Sequence, residues 1–257
     1  MRQEPSEGSE QLTQLLFSEV CEILDRLPRW TKIRSTLDGQ EGWVDFKMLT
    51  SASNLSPLTY HLPTTVVATP IAIATEMETG EELRLTLGTR LPNYAHGTFD
   101  VLGRQYIIDP DCVSSMEATG LLGGKAKGEE VCAVAQTLLN APYLWGGKNA
   151  MGMDCSGFTQ VVYSVFGVNL LRNAREQMTQ GTFIASLEDA QPGDLAFFDH
   201  ADRDPKATNI SHVGLLLDNK KIIHCSGCVH VDDIDEMGIH LPDGELTHHL
   251  VQIKRYL

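Results

Sequence analysis

The chain has 257 residues, of which 34 are acidic and 20 basic, a formal charge of −14. A balance that acidic offers no basic footprint for nucleic acid or an anionic membrane surface, so neither is an expected partner. Hydrophobic residues at 42% and charged residues at 21% are globular proportions, which excludes wholesale disorder.

No stretch approaches the ~20 apolar residues of a membrane span. The opening MRQEPSEGSEQ has no apolar segment of the secretory kind, so a cytoplasmic location is expected, and separately a monomer is the expected state. Prior removal of a signal peptide would leave the same appearance, and a periplasmic or secreted location is the alternative. The cysteines at 21, 112, 132, 155, 225 and 228 are scattered in a chain too long to need staples, so reduced thiols are expected.

The first ten residues are polar and read as a frayed terminus. Phe17 to Leu24, Trp30 to Ile33 and Gly42 to Phe46 then read as short strands, with Asp38-Gly39 as a hairpin turn. That is a small β-barrel pattern over 11–50, with Trp30 and Trp43 as core and rim residues. After a linker at Ser51 to Asn54, residues 51–118 form a second β-rich unit. Its strand signals are Thr64 to Thr69, the alternating Leu83-Arg84-Leu85-Thr86-Leu87, and Tyr106 to Ile108.

The Gly/Lys-rich connector from Gly120 to Gly128 lacks the full phosphate-loop pattern and reads as a linker. Beyond it the periodicity turns helical. Val131, Val134, Ala135, Leu138 and Leu139 share one face, and that helix stops before Pro142. A second helix carries Phe158, Val161, Val162, Val165 and Phe166 on one face and ends at Gly167. Strands follow at Leu195 to Phe198, His212 to Leu217, Lys221 to Cys225 and Leu250 to Tyr256. Helices first and strands after predict an α+β domain over 119–257.

Cys155 opens the second helix. There the helix dipole and unpaired N–H groups are expected to lower the thiol pKa and to hold an oxyanion. His212 heads one strand, fixed by its sheet, and can face a thiol as its base. His224 lies on the next strand, across a turn at Asp218-Asn219, where it can orient the His212 imidazole. The bland reading of Cys155 is a buried structural thiol.

These residues sit in a series of short motifs. In order they are Pro142-Tyr143-Leu144-Trp145-Gly146-Gly147, Asp154-Cys155-Ser156-Gly157-Phe158 and Leu170-Leu171-Arg172-Asn173-Ala174. Gln191-Pro192-Gly193-Asp194-Leu195-Ala196-Phe197-Phe198, Ser211-His212-Val213-Gly214 and Ile223-His224 follow. Over about 140–226 the chain resembles the NlpC/P60 family of papain-like cysteine peptidases. The resemblance implies Cys155 as nucleophile, His212 as general base, His224 as third triad member and Tyr143 as a residue polarising the scissile carbonyl.

Trp30 to Arg34 and Asp38 to Val44 resemble bacterial SH3-like (SH3b) repeats, and residues 51–118 are expected to hold a second copy. SH3-like units before such a domain resemble the γ-D-glutamyl-L-diamino acid endopeptidases of cell-wall peptide recycling. That implies a murein peptide substrate with a free N-terminal L-Ala, and Trp145, Asp154 and Ser156 around it. Asp154 reads either as a plain helix N-cap or as the partner of the substrate amine. Leu171 stands where the family usually has proline, and Cys225 where a small residue is common.

No cofactor or metal is expected. Cys225-Ser226-Gly227-Cys228 follows a strand, which argues against a thioredoxin-type motif. A zinc site drawn from His212, His224, Cys225, Cys228 and His230 lacks a second C-x-x-C or H-x-x-x-H at typical spacing. His248-His249 reads as a surface loop pair, and His61 and His96 have no supporting context. The competing functions are a cell-wall binding module with an inactive C-terminal domain, an acyl- or amidotransferase on the same scaffold, and a hydrolase of the intact cell wall.

Overall fold

The structure is a computed structural model that describes residues 1–52, 63–116, 127–200 and 209–257. His61, half of the 51–54 linker and most of the 120–128 connector lie outside those residues.

An antiparallel sheet is built from β1 (Cys21–Arg26), β2 (Trp30–Ser35) and β3 (Glu41–Asp45). β1 begins four residues after the strand expected from Phe17, because Ser18 adopts a left-handed conformation (φ 65°) and turns the chain. Alternation along β2 and β3 buries Thr31, Ile33, Ser35 and Val44. Trp30 and Trp43 fall on the opposite face and stay half-buried, so neither is a core residue.

The second β-rich segment has two sheets. β4 (Thr65–Val67) pairs with β9 (Val113–Ser115). β5 (Ile71–Glu76), β6 (Glu82–Thr86), β7 (Thr98–Val101) and β8 (Arg104–Ile108) form the other, in the order β6-β5-β8-β7. The segment has its own core of Val67, Ala72, Ala74, Leu85, Leu91 and Phe99, with Phe99 stacked on Tyr106.

Beyond residue 127 come α1 (Gly128–Gln136), the small hairpin β10 (Lys148–Asn149) and β11 (Gly152–Met153), α2 (Cys155–Ser164) and the short α3 (Ala174–Gln177). α1 ends earlier than its apolar pattern predicts. Tight turns through Thr137 and Leu138 lead to Asn140 at φ 68°, and they leave Leu139 exposed.

A large antiparallel sheet follows. It contains β12 (Thr182–Ile184), β13 (Leu195–His200), β14 (His212–Leu216), β15 (Lys221–Ser226), β16 (Cys228–Asp235), β17 (Gly238–His240) and β18 (Leu246–Arg255). Its order is β12-β18-β13-β14-β15-β16-β17, and β17 also pairs with β18, so the sheet closes on itself. With three helices among the described residues, one of them four residues long, the molecule is richer in sheet than the α+β expectation implies.

Alternation divides this sheet into two faces. Leu195, Phe197, Val213 and Leu215 pack against Val131, Phe158, Val161 and Val162 of the helices. Ala196, Phe198, Leu216, Ile222, Ile234 and Ile253 fill the other face. His212, His224, His230 and Asp232 share the strand parity of that second face and form its polar end. At about 25 cal/mol per Å² of apolar surface, the first cluster supplies much of the free energy that clamps α2 to β14.

Candidate active site

Asp154 caps α2. Its Oδ1 accepts the Gly157 N–H at 2.7 Å and the Ser156 hydroxyl at 3.2 Å. Its Oδ2 accepts the Gly146 N–H at 2.9 Å. Gly157 is required here, since a Cβ would stand 2.1 Å from the Gly147 carbonyl oxygen.

Arg172, almost wholly buried, forks onto the same carboxylate with Nη1–Oδ1 at 3.0 Å and Nη2–Oδ2 at 2.7 Å. It also donates to the Ser156 hydroxyl at 2.9 Å and to Thr13 Oγ1 at 2.7 Å. A carboxylate has about four acceptor positions. Five protein donors occupy them here, so an incoming ammonium has to share Asp154 with Arg172. Ser156 is likewise engaged on both sides. Arg172 was not among the expected site residues, although it lies inside one of the motifs. Leu171 keeps the N–H that a proline lacks and donates it to Gln180 Oε1 at 2.9 Å.

Cys155 begins the helix and is buried, with its sulfur receiving backbone hydrogen bonds from Val213 and Ser156. The Val213 contact places the thiol against β14 beside His212. The expectation of a lowered thiol pKa is reversed. Burial, followed by the Asp154 carboxylate, pushes the thiol up to about 12, outweighing Arg172 and the backbone hydrogen bonds. The resting residue is a thiol.

β14 pairs with β15 so that Gly214 faces His224. A Cβ at Gly214 would meet the His224 Cβ at 2.9 Å, so the missing side chain lets His224 lean toward His212. His212 Nε2 and His224 Nδ1 are 2.8 Å apart, and His224 Nε2 lies 3.1 Å from Asp232 Oδ2. Burial lowers the His224 pKa, and the hydrogen bond from His224 holds Asp232 below its ordinary value. An ionised Asp232 can only accept, which puts the His224 proton on Nε2. Nδ1 then accepts Nε2–H of His212, which puts the basic lone pair of His212 on its Nδ1. Asp232 fixes the tautomers of the whole line.

His248, expected in a surface loop, is a buried residue of β18 with its ring 4.4 Å from that of His212. The pairings of β18 and β14 on either side of β13 bring it there. Tyr143 lies near the sulfur, and its phenol is held protonated, first by burial and next by Cys155. Trp145 is exposed, and its indole N–H donates to Glu10 Oε1 at 2.8 Å. The Trp145 carbonyl accepts from Gln11 Nε2 at 3.1 Å. The N-terminal segment therefore stands at the Trp145 end of the site. Cys225 is buried, its sulfur 3.2 Å from the Met153 carbonyl, and Cys228 opens the next strand across a hairpin. Both are free thiols.

Residues 140–250 match the NlpC/P60 family, and residues 1–52 match the bacterial SH3 domain. The chain is 28% identical over 224 residues to a gamma-D-glutamyl-L-lysine dipeptidyl-peptidase of Bacillus subtilis, covering 82% of this chain and 71% of that one. It is 26% identical over 226 residues to a protein of the same name from Bacillus cereus, covering 82% and 66%. A crystal structure of an NlpC/P60 family protein from Bacillus cereus superposes with a TM-score of 0.80 over 95% of this chain and 82% of that chain. At 23% identity this is a likeness of fold. The chain thus joins a bacterial SH3 domain to an NlpC/P60 domain.

Proposed function

We propose that the chain is a cysteine peptidase that hydrolyses the bond from γ-D-Glu to a diamino acid in murein peptides with a free N-terminal L-Ala. The observation that carries it is the line His212, His224, Asp232, in which each group sets the proton of the next, on the strand whose Val213 backbone meets the Cys155 sulfur. The names of the two Bacillus relatives support the substrate class.

In this reading His212 Nδ1 takes the thiol proton as Sγ attacks the γ-carbonyl carbon. The N-terminal N–H groups of α2 and the Tyr143 hydroxyl stabilise the oxyanion. The C–N bond breaks, the amine leaves with the proton from His212, and a thioester remains. Water, deprotonated by His212, then releases the acyl product and restores the thiol.

The free amine is read at the Trp145 end. Exposed Glu10, held on the indole, supplies a carboxylate there, with Asp154 and Ser156 behind it. Residues 51–118 are a second SH3-like unit in this proposal, and the chain is a cytoplasmic monomer of peptide recycling.

The test is mass spectrometry of products from L-Ala-γ-D-Glu-meso-diaminopimelate and its L-lysine counterpart, each with and without an N-acetyl group. The free peptides are expected to be cut at the γ-D-Glu bond. The acetylated ones are expected to have kcat/KM lower by at least ~10²-fold, about 2.7 kcal/mol. Equal rates would reject amine recognition in favour of a hydrolase of the intact wall, and uncut free peptide would reject the substrate.

A further inference from the structure

His224 on β15 and His230 on β16 are directly opposed across the sheet, and Asp232 follows His230 by two residues on the same face. The donor atoms His224 Nε2, His230 Nε2 and Asp232 Oδ2 lie within 4.8 Å of one another. The carboxylate oxygen is 3.1 Å from each nitrogen.

His230 makes this more than a hydrogen-bond cluster. Its Nδ1 is 2.8 Å from the Cys228 carbonyl oxygen, which only accepts, so Nδ1 carries a hydrogen. In neutral His230 the lone pair on Nε2 then points at the Asp232 carboxylate. That contact is met by a proton on Nε2 or by a metal ion between the two atoms, and His224 Nε2 supplies the ion a third donor. A ring N–H held on a backbone carbonyl is also how metal-ligating histidines are oriented. Zinc bonds of about 2.0–2.1 Å in a tetrahedron place ligand atoms about 3.3 Å apart, close to the 3.1 Å from the carboxylate oxygen to each nitrogen. Imidazole nitrogens select Zn²⁺-like ions over Mg²⁺ or Ca²⁺. The His230 side chain is 32% exposed, which gives an ion a path from solvent.

We propose that His224, His230 and Asp232 bind a divalent transition-metal ion of the Zn²⁺ type, and that its binding switches the peptidase off. The binding half stands on the geometry alone, whereas the inhibitory half rests on the peptidase reading. The ion takes the lone pair of His224 Nε2, so the one proton of that neutral ring moves to Nδ1. The Nδ1–H then donates to His212 Nε2, and the single proton of His212 moves to Nδ1, facing the sulfur. Each ring keeps one proton, and a water completes the ion's coordination. His212 can no longer accept the thiol proton.

Binding is tested by titrating Co²⁺ into the Cys155→Ala chain, which lacks the competing nucleophile. Visible ligand-field absorption without a thiolate charge-transfer band is expected, and it should disappear in Cys155→Ala/His230→Ala. Absent bands, a thiolate band, or bands that survive loss of His230 would each overturn the site. Inhibition is tested with Zn²⁺ on the otherwise unaltered chain and on His230→Ala and His230→Gln, using the free murein tripeptide. Zn²⁺ should inhibit the parent reversibly by chelator. Both variants should keep basal turnover and need at least ~10²-fold more Zn²⁺, the upper end of what losing a ligand's hydrogen-bond partner costs. Equal sensitivity in all three would put the inhibiting ion on Cys155 and His212 and overturn the switch. If the parent cuts no peptide, the peptidase reading fails while the Co²⁺ result still decides the site.

Discussion

At Cys155 the helix end and the burial of the sulfur pull in opposite directions, and burial wins. The consequence for stability has a definite sign. The folded thiol titrates near 12, above the ordinary value of 9.0, so its neutral form favours the folded state fully below about 9. That contribution is lost as pH climbs from there toward 12. Between about pH 9 and pH 11 the parent should therefore lose stability faster than Cys155→Ala, by up to about 1.4 kcal/mol per pH unit. Buried Cys132 cancels in the difference, and Cys225, whose thiol the Cys155 charge helps to push up, adds to it with the same sign. Urea midpoints across that interval measure the effect, and parallel slopes would sink it. The same variant should have no peptidase turnover, since no second nucleophile adjoins His212 in the proposed mechanism.

Among the elements, the β14–β15 pair decides where the histidines meet. Gly214→Ala places a methyl group against the His224 Cβ and the end of Ile222, and the second of these can move more easily than the first. His224 is then displaced from His212. We expect kcat to fall by about 10²-fold with KM little changed, because misplacement near 1 Å acts on the reacting geometry rather than on binding. A matching fall in affinity for a bound, uncleaved peptide would contradict a purely positional effect.

The strand of His212 and the strand of His224 were legible from their apolar runs, and α2 from its five periodic core residues, all of them buried. β16 was not, because Val229-His230-Val231-Asp232 carries its polar residues inward, where a sequence pattern reads them as solvent-facing. His230, Asp232 and His248 gain meaning only from cross-strand register, which local sequence does not encode. Arg172 lay in plain view within a motif, yet its partner Thr13 belongs to the other end of the chain.

Over the whole molecule, the N-terminal residues are built into the catalytic half. Lys148 and Glu19 form an ion pair at 2.8 Å with both side chains buried. Gln14 Oε1 accepts from the Lys148 N–H at 2.9 Å and from Asn149 Nδ2 at 2.8 Å. Gln160 of α2 donates to Asp38 at 3.0 Å. Breaking a buried pair strands a charge, so Lys148→Met should cost about 3–5 kcal/mol. Adding Glu19→Gln should recover much of that loss, since no charge is then left buried. Thermal or denaturant unfolding of the two variants checks this, and a double variant as unstable as the single one would refute the pairing argument.

The hydrogen bond from Arg172 to Thr13 joins residues 159 positions apart. Contacts so distant in sequence close late, after the loop-closure entropy of both halves has been met. The anchor that holds Asp154, and through it the start of the Cys155 helix, is therefore expected among the last interactions to form. During refolding from denaturant, strand signal in far-ultraviolet dichroism should return first and peptide cleavage later. Thr13→Val should widen that delay, so catalytic competence would be a clock for the docking of the two ends of the chain rather than for the folding of either.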